Sequence, residues 1–247
     1  MLTLDNIGVT FARRTILGGI TAEIAGGGIT AVMGPNGCGK TTLLRCIGGL
    51  LQPDTGRVLV EGRPVADYSA RELAQRLAFV RQHPQTDFEF SAFETVLMGR
   101  NPYQHRLQNE SQADWDIVER CMRQTGTWHL RMATPAEMSG GELQRVMIAR
   151  ALAQETPLLL MDEPVSNLDI AHQLEIMRLL RAATEKTILI VIHDLNLALQ
   201  FCDRLLLLHE GGLLFHGPIA EGLTPENIRL VYGVEAHLAE GRIIFDY

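Results

Sequence analysis

Eight consecutive residues carry the clearest chemical signal in the sequence, because they fit the pattern G-x-x-x-x-G-K-[ST]. They are Gly34, Pro35, Asn36, Gly37, Cys38, Gly39, Lys40 and Thr41. The glycines let backbone N–H groups converge on phosphate oxygens, and the helix expected next presents its positive end to the same anion. The Lys40 ammonium can reach terminal phosphates, and the Thr41 hydroxyl can ligate Mg²⁺. The segment predicts a nucleotide-phosphate site; the alternative is a glycine-rich turn that binds nothing.

An apolar run that ends in two carboxylates is the second signal. Leu158 to Met161 is typical of a buried strand, and Asp162 and Glu163 follow it directly. Ligands bind at the carboxyl edge of parallel sheets. There Asp162 is placed to hold Mg²⁺, and Glu163 to orient or deprotonate an attacking water. The alternative is a solvated acidic pair at a strand end, which the phosphate loop elsewhere in the chain disfavours.

A serine followed by two glycines marks a third candidate site. Ser139, Gly140, Gly141 and Glu142 open a run with helical spacing, so that hydroxyl and backbone donors would lie at a helix N-terminus. One nucleotide seldom needs two such anion sites from one chain, whereas two chains that face each other would use both. An ordinary helix start is the alternative.

With these segments the chain resembles the ATP-binding subunit of an ABC transporter over nearly its full length. Gly34–Thr41 is similar to that family's Walker A segment, Leu158–Glu163 to its Walker B strand and Met138–Glu142 to its signature. Further positions that resemble family motifs are Gln82 (Q-loop), Ser166-Asn167-Leu168-Asp169 (D-loop), His193 (switch histidine) and Phe11 (the aromatic that stacks on adenine).

The resemblance implies ATP and Mg²⁺ as cofactors and assigns a role to each matching residue. Catalysis falls on Glu163, His193 and Gln82, and metal ligation on Thr41, Gln82 and Asp162. The residues that would bind ATP are Phe11, Gly34, Pro35, Asn36, Gly37, Cys38, Gly39, Lys40, Thr41, Thr42, Ser139, Gly140, Gly141, Glu142 and Asp169.

Several of these positions have a plainer interpretation. Gln82 alone is most often a surface amide, His193 alone a structural histidine, and Phe11 alone a core residue of the first hairpin. Met138 stands where the family usually has leucine, and Glu142 where it usually has glutamine.

Cys38 lies in the phosphate loop, where a small residue is usual. The simple interpretation is a small filler. The alternative is a thiol whose oxidation blocks ATP, because a helix N-terminus favours a thiolate.

The family resemblance also implies partners. Two copies would form a head-to-tail homodimer with ATP between the Lys40 loop of one and the Ser139 helix of the other. Separate permease subunits would dock near Gln82 to Tyr103, and an external substrate-binding protein would act through them. The chain would then lie peripherally on the cytoplasmic face of the inner membrane.

Three softer matches favour an importer of iron–siderophore complexes, haem or cobalamin. They are Phe90–Tyr103, His193–Ala198 and Val231–Val234. The rival hypothesis is an ABC-type ATPase that acts on nucleic acid or the ribosome, but such proteins usually carry coiled coils, zinc modules or a second core. A P-loop kinase would need neither Ser139-Gly140-Gly141 nor His193.

Composition limits the classes of function. The 247 residues carry a net charge of −7 without a run of Lys or Arg, which disfavours a nucleic-acid partner. The longest apolar stretch, Ile188 to Ile192, is five residues, whereas a membrane span needs about 20. Residues 1–10 do not have the pattern of a secretory signal. Four cysteines without metal or disulfide spacing indicate free thiols in a reducing compartment.

Alternating strand-like and helix-like segments predict an α/β fold: a P-loop NTPase core with a mainly parallel sheet, an N-terminal antiparallel β subdomain and an inserted helical lobe. We expect one ABC ATPase domain over residues 1–247, with the core at about 1–87 and 154–247 and the lobe at about 88–153. The helix after the phosphate loop is predicted from Lys40 to about Leu50.

Overall fold

A computed structural model describes residues 1–82, 90–104, 110–166 and 168–246 of the chain. Its strands are β1 (Leu2–Phe11), β2 (Arg14–Ile24), β3 (Gly28–Met33), β4 (Thr55–Val60), β5 (Arg63–Pro64), β6 (Leu77–Val80), β7 (Leu158–Asp162), β8 (Thr187–Val191), β9 (Arg204–His209), β10 (Gly212–Pro218), β11 (Ala236–Ala239) and β12 (Arg242–Phe245).

The helices lie between and after these strands. They are α1 (Lys40–Ile47), α2 (Ala70–Ala74), α3 (Ala92–Leu97), α4 (Gln112–Gln124), α5 (Gly140–Ala153), α6 (Ile170–Ala182), α7 (Leu195–Phe201), α8 (Ile219–Gly222) and α9 (Pro225–Tyr232). Short 3-10 turns cover Val65–Asp67, Met98–Tyr103, Trp128–Leu130 and Pro135–Glu137.

The larger sheet is mainly parallel, as predicted. Its strand order is β10-β9-β3-β8-β7-β6, and every neighbouring pair is parallel except β9 with β10. The N-terminal sheet, in the order β2-β1-β4-β5, is antiparallel throughout. The β11–β12 hairpin forms a third, two-stranded sheet.

The parallel strands are apolar on both faces because the sheet lies between two hydrophobic layers. In β8, Ile188 and Ile190 belong to a cluster with α5, α6 and α7, whereas Leu189 and Val191 belong to a cluster with α1 and the N-terminal sheet. This alternation follows from the two-residue period of a strand. It fixes the register of the strands, and hence the positions of the loops at their ends.

Between β6 and β7, the described residues form helices and turns only. This agrees with the predicted fold class, whereas the exact division of the chain into core and lobe stays a prediction.

One predicted boundary is wrong. The helix after the phosphate loop ends at Ile47 rather than near Leu50. Gly48 caps it, and Gly49 has a φ of +68°, a left-handed conformation that glycine adopts readily and that ends the helix.

A nearly buried arginine joins the elements between β6 and β7. Arg100 Nε donates to Asp114 Oδ1 at 2.9 Å, and its Nη1 donates to the Ala153 carbonyl at 2.8 Å and to Glu155 Oε2 at 3.1 Å. The Arg100 side chain is 9% exposed and that of Asp114 is 15% exposed. Removal of the arginine would leave a largely desolvated carboxylate and a free carbonyl.

We therefore expect Arg100→Ala to lower the free energy of unfolding by about 2–4 kcal/mol. Arg57→Ala is the matched control, because its 3.1 Å ion pair with Asp5 is exposed and should contribute about 1 kcal/mol or less. Urea unfolding of both variants measures the difference. Equal losses would show that the Arg100 network has no special role in stability.

Candidate functional site

Four loops meet at one edge of the larger sheet, because each follows the carboxyl end of a parallel strand. The phosphate loop follows β3, His193 lies just beyond β8, Asp162 and Glu163 lie at the end of β7, and Gln82 lies two residues past β6. In the sheet these strands are neighbours in the order β3, β8, β7, β6. Residues far apart in sequence are thereby brought together, as the resemblance implied.

The phosphate loop needs glycine at two positions for steric reasons. Gly34 has a φ of +143°, and a Cβ there would lie 2.3 Å from the Leu208 carbonyl oxygen. Gly39 has a φ of +102°, and its Cβ would lie 2.5 Å from Leu17 Cδ2. Both φ values lie outside the range that L side chains favour. A side chain at either position would therefore force the loop out of its present conformation.

Lys40 is buried inside this loop. Its Nζ donates to the Gly34 carbonyl at 2.9 Å and to the Pro35 carbonyl at 2.8 Å. An ammonium has three donors, so one N–H remains for an anion held by the loop. The two carbonyl contacts fix the position and orientation of the Lys40 ammonium group.

Thr41 and Asp162 form the centre of a possible cation site. The Thr41 hydroxyl donates to Asp162 Oδ1 at 3.1 Å, and Asp162 is 4% exposed. Burial raises the pKa of the Asp162 carboxyl from its ordinary value, despite the hydrogen bond from Thr41. A hydroxyl, a carboxylate and the nearby Gln82 amide are a hard oxygen donor set that suits Mg²⁺, which is typically held by one or two carboxylates together with substrate phosphates.

Glu163 is the residue on which the other strand ends converge. Its Oε2 accepts a hydrogen bond from Gln82 Nε2 at 2.6 Å, and its Oε1 lies 2.7 Å from His193 Nε2. Its φ is +49°, which is uncommon for a residue with a side chain and is a form of backbone strain often found at functional sites. Both carboxylate oxygens are therefore held in fixed positions beside the phosphate loop.

A cavity of about 380 Å³ joins Phe11 to the phosphate loop. Phe11 is 51% exposed, so it is not the buried core residue that the plainer interpretation proposed. Glu163 also lines this cavity, so Phe11, the loop and the acid share one space. A larger cavity of about 670 Å³ lies between the end of α1, β4 and α2, and contains none of the predicted site residues.

The cavity includes Arg14, which sequence reasoning missed. Arg14 is the cross-strand neighbour of Phe11 in the β1–β2 hairpin. The pairing of β1 with β2 brings Arg14 to the same cavity as Phe11, and the sequence alone did not reveal this register.

The Ser139 segment does not line this cavity. Ser139 is the N-cap of α5, where its Oγ accepts from the Glu142 N–H at 3.3 Å and donates to Glu142 Oε2 at 2.8 Å. These contacts, with the Ser139 N–H, lower the pKa of the Glu142 carboxyl, so this residue is charged at neutral pH. A Cβ on Gly140 would meet nothing within 4 Å among the described residues. No described part of this chain requires a glycine there.

Asp169, like Ser139, contacts only its own helix among the hydrogen bonds of the described residues. It caps α6, where its Oδ1 accepts from the His172 N–H at 2.9 Å and its Oδ2 lies 2.7 Å from His172 Nδ1. These contacts lower the pKa of Asp169. Asn167, of the same predicted loop, lies outside the described residues.

Cys38 lies on the inner side of the phosphate loop and is 5% exposed. Burial raises the pKa of its thiol, and the charge of Lys40 offsets only part of that rise. A buried thiol with a raised pKa reacts slowly, which favours the small-filler interpretation over the oxidation switch.

Comparison with known proteins places this geometry in a family. The sequence model described as ABC transporter matches residues 17–166. The cobalamin import ATP-binding protein BtuD of Halobacterium salinarum is 40% identical over 97% of the chain, which spans 61% of that relative. The ferric enterobactin transport ATP-binding protein FepC of Escherichia coli is 35% identical over 96% of the chain and 88% of its own length. The hemin import ATP-binding protein HmuV of Pseudomonas putida is 38% identical over 95% of the chain and 93% of its own length.

Solved structures agree with these relatives. A metal-chelate type ABC transporter in an inward-facing conformation has a TM-score of 0.82 at 26% identity, covering 99% of this chain and 95% of that one. The dimeric ATP-binding cassette MJ0796 in a post-hydrolysis state, bound to ADP and Pi, has a TM-score of 0.80 at 29% identity, covering 89% of this chain and 99% of that one.

Proposed function

The chain belongs to the ABC transporter family as an ATP-binding subunit that couples ATP hydrolysis to transport, and from this premise we propose that it powers import of an iron–siderophore complex, haem or a cobalamin-type substrate. The names of the relatives support this substrate range. The net charge of −7 argues against the alternative of an ATPase that acts on nucleic acid.

Glu163 is held through both carboxylate oxygens, by Gln82 and His193, beside the phosphate loop. This geometry is the main support for the proposal that Glu163 is the catalytic base. Phe11 stacks on the adenine, and Lys40 binds the phosphates together with backbone N–H groups of residues 34–42 other than Pro35, which has none. Thr41, Asp162 and Gln82 would hold Mg²⁺, which would offset phosphate charge when bound. These roles fit the donor types of the residues and the cavity that Phe11, Lys40, Thr41 and Glu163 share.

The reaction is an in-line attack by water. Glu163 orients the water and accepts its proton as the water oxygen bonds to the γ-phosphorus. The bond from that phosphorus to the bridging oxygen of ADP breaks, which releases ADP and inorganic phosphate. His193 keeps the carboxylate aimed, and Gln82 links it to the segment that leads to the permease.

The Ser139 segment completes the site of a second copy. Gly140 leaves open space at the start of α5, where a ligand carried by another chain can approach the backbone N–H groups. In the proposed head-to-tail homodimer each ATP lies between the Lys40 loop of one copy and the Ser139 segment of the other. The dimeric state of the structural relative MJ0796 supports this arrangement.

Transport requires permease subunits. Among the described residues, every helix is too short or too polar to cross a membrane. The permeases dock near Gln82 to Tyr103, a segment whose residues 83–89 lie outside the described part of the chain. Arg71 holds the end of the segment by donating to the Pro102 carbonyl at 3.0 Å and the Gln104 carbonyl at 2.7 Å. The complex lies on the inner membrane, with this chain on the cytoplasmic face and an external binding protein delivering the substrate.

We expect Ser139→Arg to bind ATP normally but to lose both ATP-dependent dimerisation and hydrolysis, because the added side chain fills the space that the partner's ATP needs. Ser111→Arg is the matched control, since Ser111 forms the same kind of capping box at the start of α4. Calorimetry and sedimentation measure the two properties. A fully active Ser139→Arg protein would refute the shared site.

Tagged chain purified in mild detergent from its native membranes should carry a stoichiometric multi-span permease, identified by mass spectrometry. Arg71→Ala should recover less of it with unchanged ATP affinity, because the docking segment loses two of the hydrogen bonds that hold its end. Recovery only with ribosomes or DNA-repair proteins would overturn the importer proposal and leave the ATPase intact.

A further inference from the structure

The C-terminal hairpin is tied to the helix that follows His193. Asn196, in the first turn of α7, donates through Nδ2 to the Ile243 carbonyl at 3.0 Å and accepts from the Ile243 N–H at 2.8 Å through Oδ1. A primary amide can bond both the N–H and the C=O of one residue in this way only when the amide and that residue are held in register. The side chain therefore joins α7 to β12 as a neighbouring strand would.

Packing reinforces this joint. Ile243 is 3% exposed and belongs to the same hydrophobic cluster as Leu195 and Leu197 of α7. The other edge of β12 pairs with β11, and a bond from the Asp246 N–H to the Glu235 carbonyl at 3.0 Å continues that pairing. The hairpin is therefore a braced support rather than a loose tail.

The same C-terminal segment also contacts the phosphate loop. Tyr232, at the end of α9, packs against the hydrophobic cluster that contains Ile243. Burial raises the pKa of Tyr232 to about 12, and the backbone of Gly34 lies beside its hydroxyl. Residues 225–245 thus touch both the start of the phosphate loop and the helix behind His193.

We infer that Asn196 is a positioning residue for ATP hydrolysis, which holds His193 at its 2.7 Å contact with Glu163 by fixing α7 to the C-terminal hairpin. Only two residues, Asp194 and Leu195, separate His193 from Asn196, and Asp194 is the N-cap of α7. A shift of α7 would therefore move the imidazole relative to Glu163. Displacement of a reacting or aiming group by about 1 Å can cost about a hundredfold in rate.

The inference rests on the role proposed for His193, and the experiment separates the two. Asn196→Ala removes both hydrogen bonds, and Asn196→Asp keeps the size and one acceptor but sets a carboxylate against the Ile243 carbonyl. Both should lower kcat for ATP about tenfold or more and leave ATP affinity and KM within about twofold. The same Asn196→Ala change made in a His193→Ala protein should have almost no further effect.

Thr224→Ala is the control for general loosening. Thr224 caps α9 by accepting from the Asn227 N–H at 3.2 Å, so its loss weakens the C-terminal segment without touching the Asn196 contact. This variant should lower the melting temperature and keep kcat within about twofold.

Three results would overturn the inference: unchanged kcat in Asn196→Ala, an equal fall in the His193→Ala background, or an equal fall in Thr224→Ala. Unchanged kcat in His193→Ala would remove the proposed role of His193 as well. A fall in His193→Ala without one in Asn196→Ala would remove the inference alone.

Discussion

The site depends on the fixed position of the Glu163 carboxylate. Gln82 and His193 each hold one of its oxygens, and they come from the ends of two different strands, β6 and β8, that flank β7 in the sheet. A carboxylate held in this way cannot turn without breaking a hydrogen bond. The sheet order therefore determines which three side chains meet, and the apolar layers on both faces of the sheet keep that order rigid.

Features that destabilise the folded chain, namely unfavourable backbone conformations and a buried carboxyl, are concentrated at the carboxyl edge of the larger sheet. Glu163 has a positive φ, Gly34 and Gly39 have conformations that suit only glycine, and Asp162 is a carboxyl whose pKa is raised by burial. Each of these features destabilises the folded chain slightly, and the buried strands offset the cost. In the proposed mechanism these same residues bind the phosphates, hold the metal and orient the water.

Part of the site and of the fold could be predicted from the sequence, because the residues concerned are neighbours in the sequence. The phosphate loop and the acidic pair are contiguous patterns, and the capping box of α2 follows from Ser69 and Glu72 three residues apart. The same local pattern recurs at Ser139, so the cap alone does not distinguish this helix start from an ordinary one.

Other features depend on tertiary contacts that the sequence does not encode locally. Arg14 enters the cavity only through the hairpin register with Phe11. The pairing of Asn196 with Ile243 joins positions 47 residues apart and has no sequence signature. The end of α1 at Ile47 was missed because two glycines overrode an apolar pattern that continues to Leu50.

The most direct test of the account is the ATPase rate and ATP affinity of Glu163→Gln. The amide has nearly the same size but cannot accept the proton of the attacking water. We predict that ATP affinity stays within about threefold, that phosphate release falls about a hundredfold or more, and that ATP holds two copies together in sedimentation. Glu23→Gln, an exposed acid on β2, should behave as the unmodified chain does. Normal phosphate release from Glu163→Gln would contradict the central claim that this carboxylate activates water.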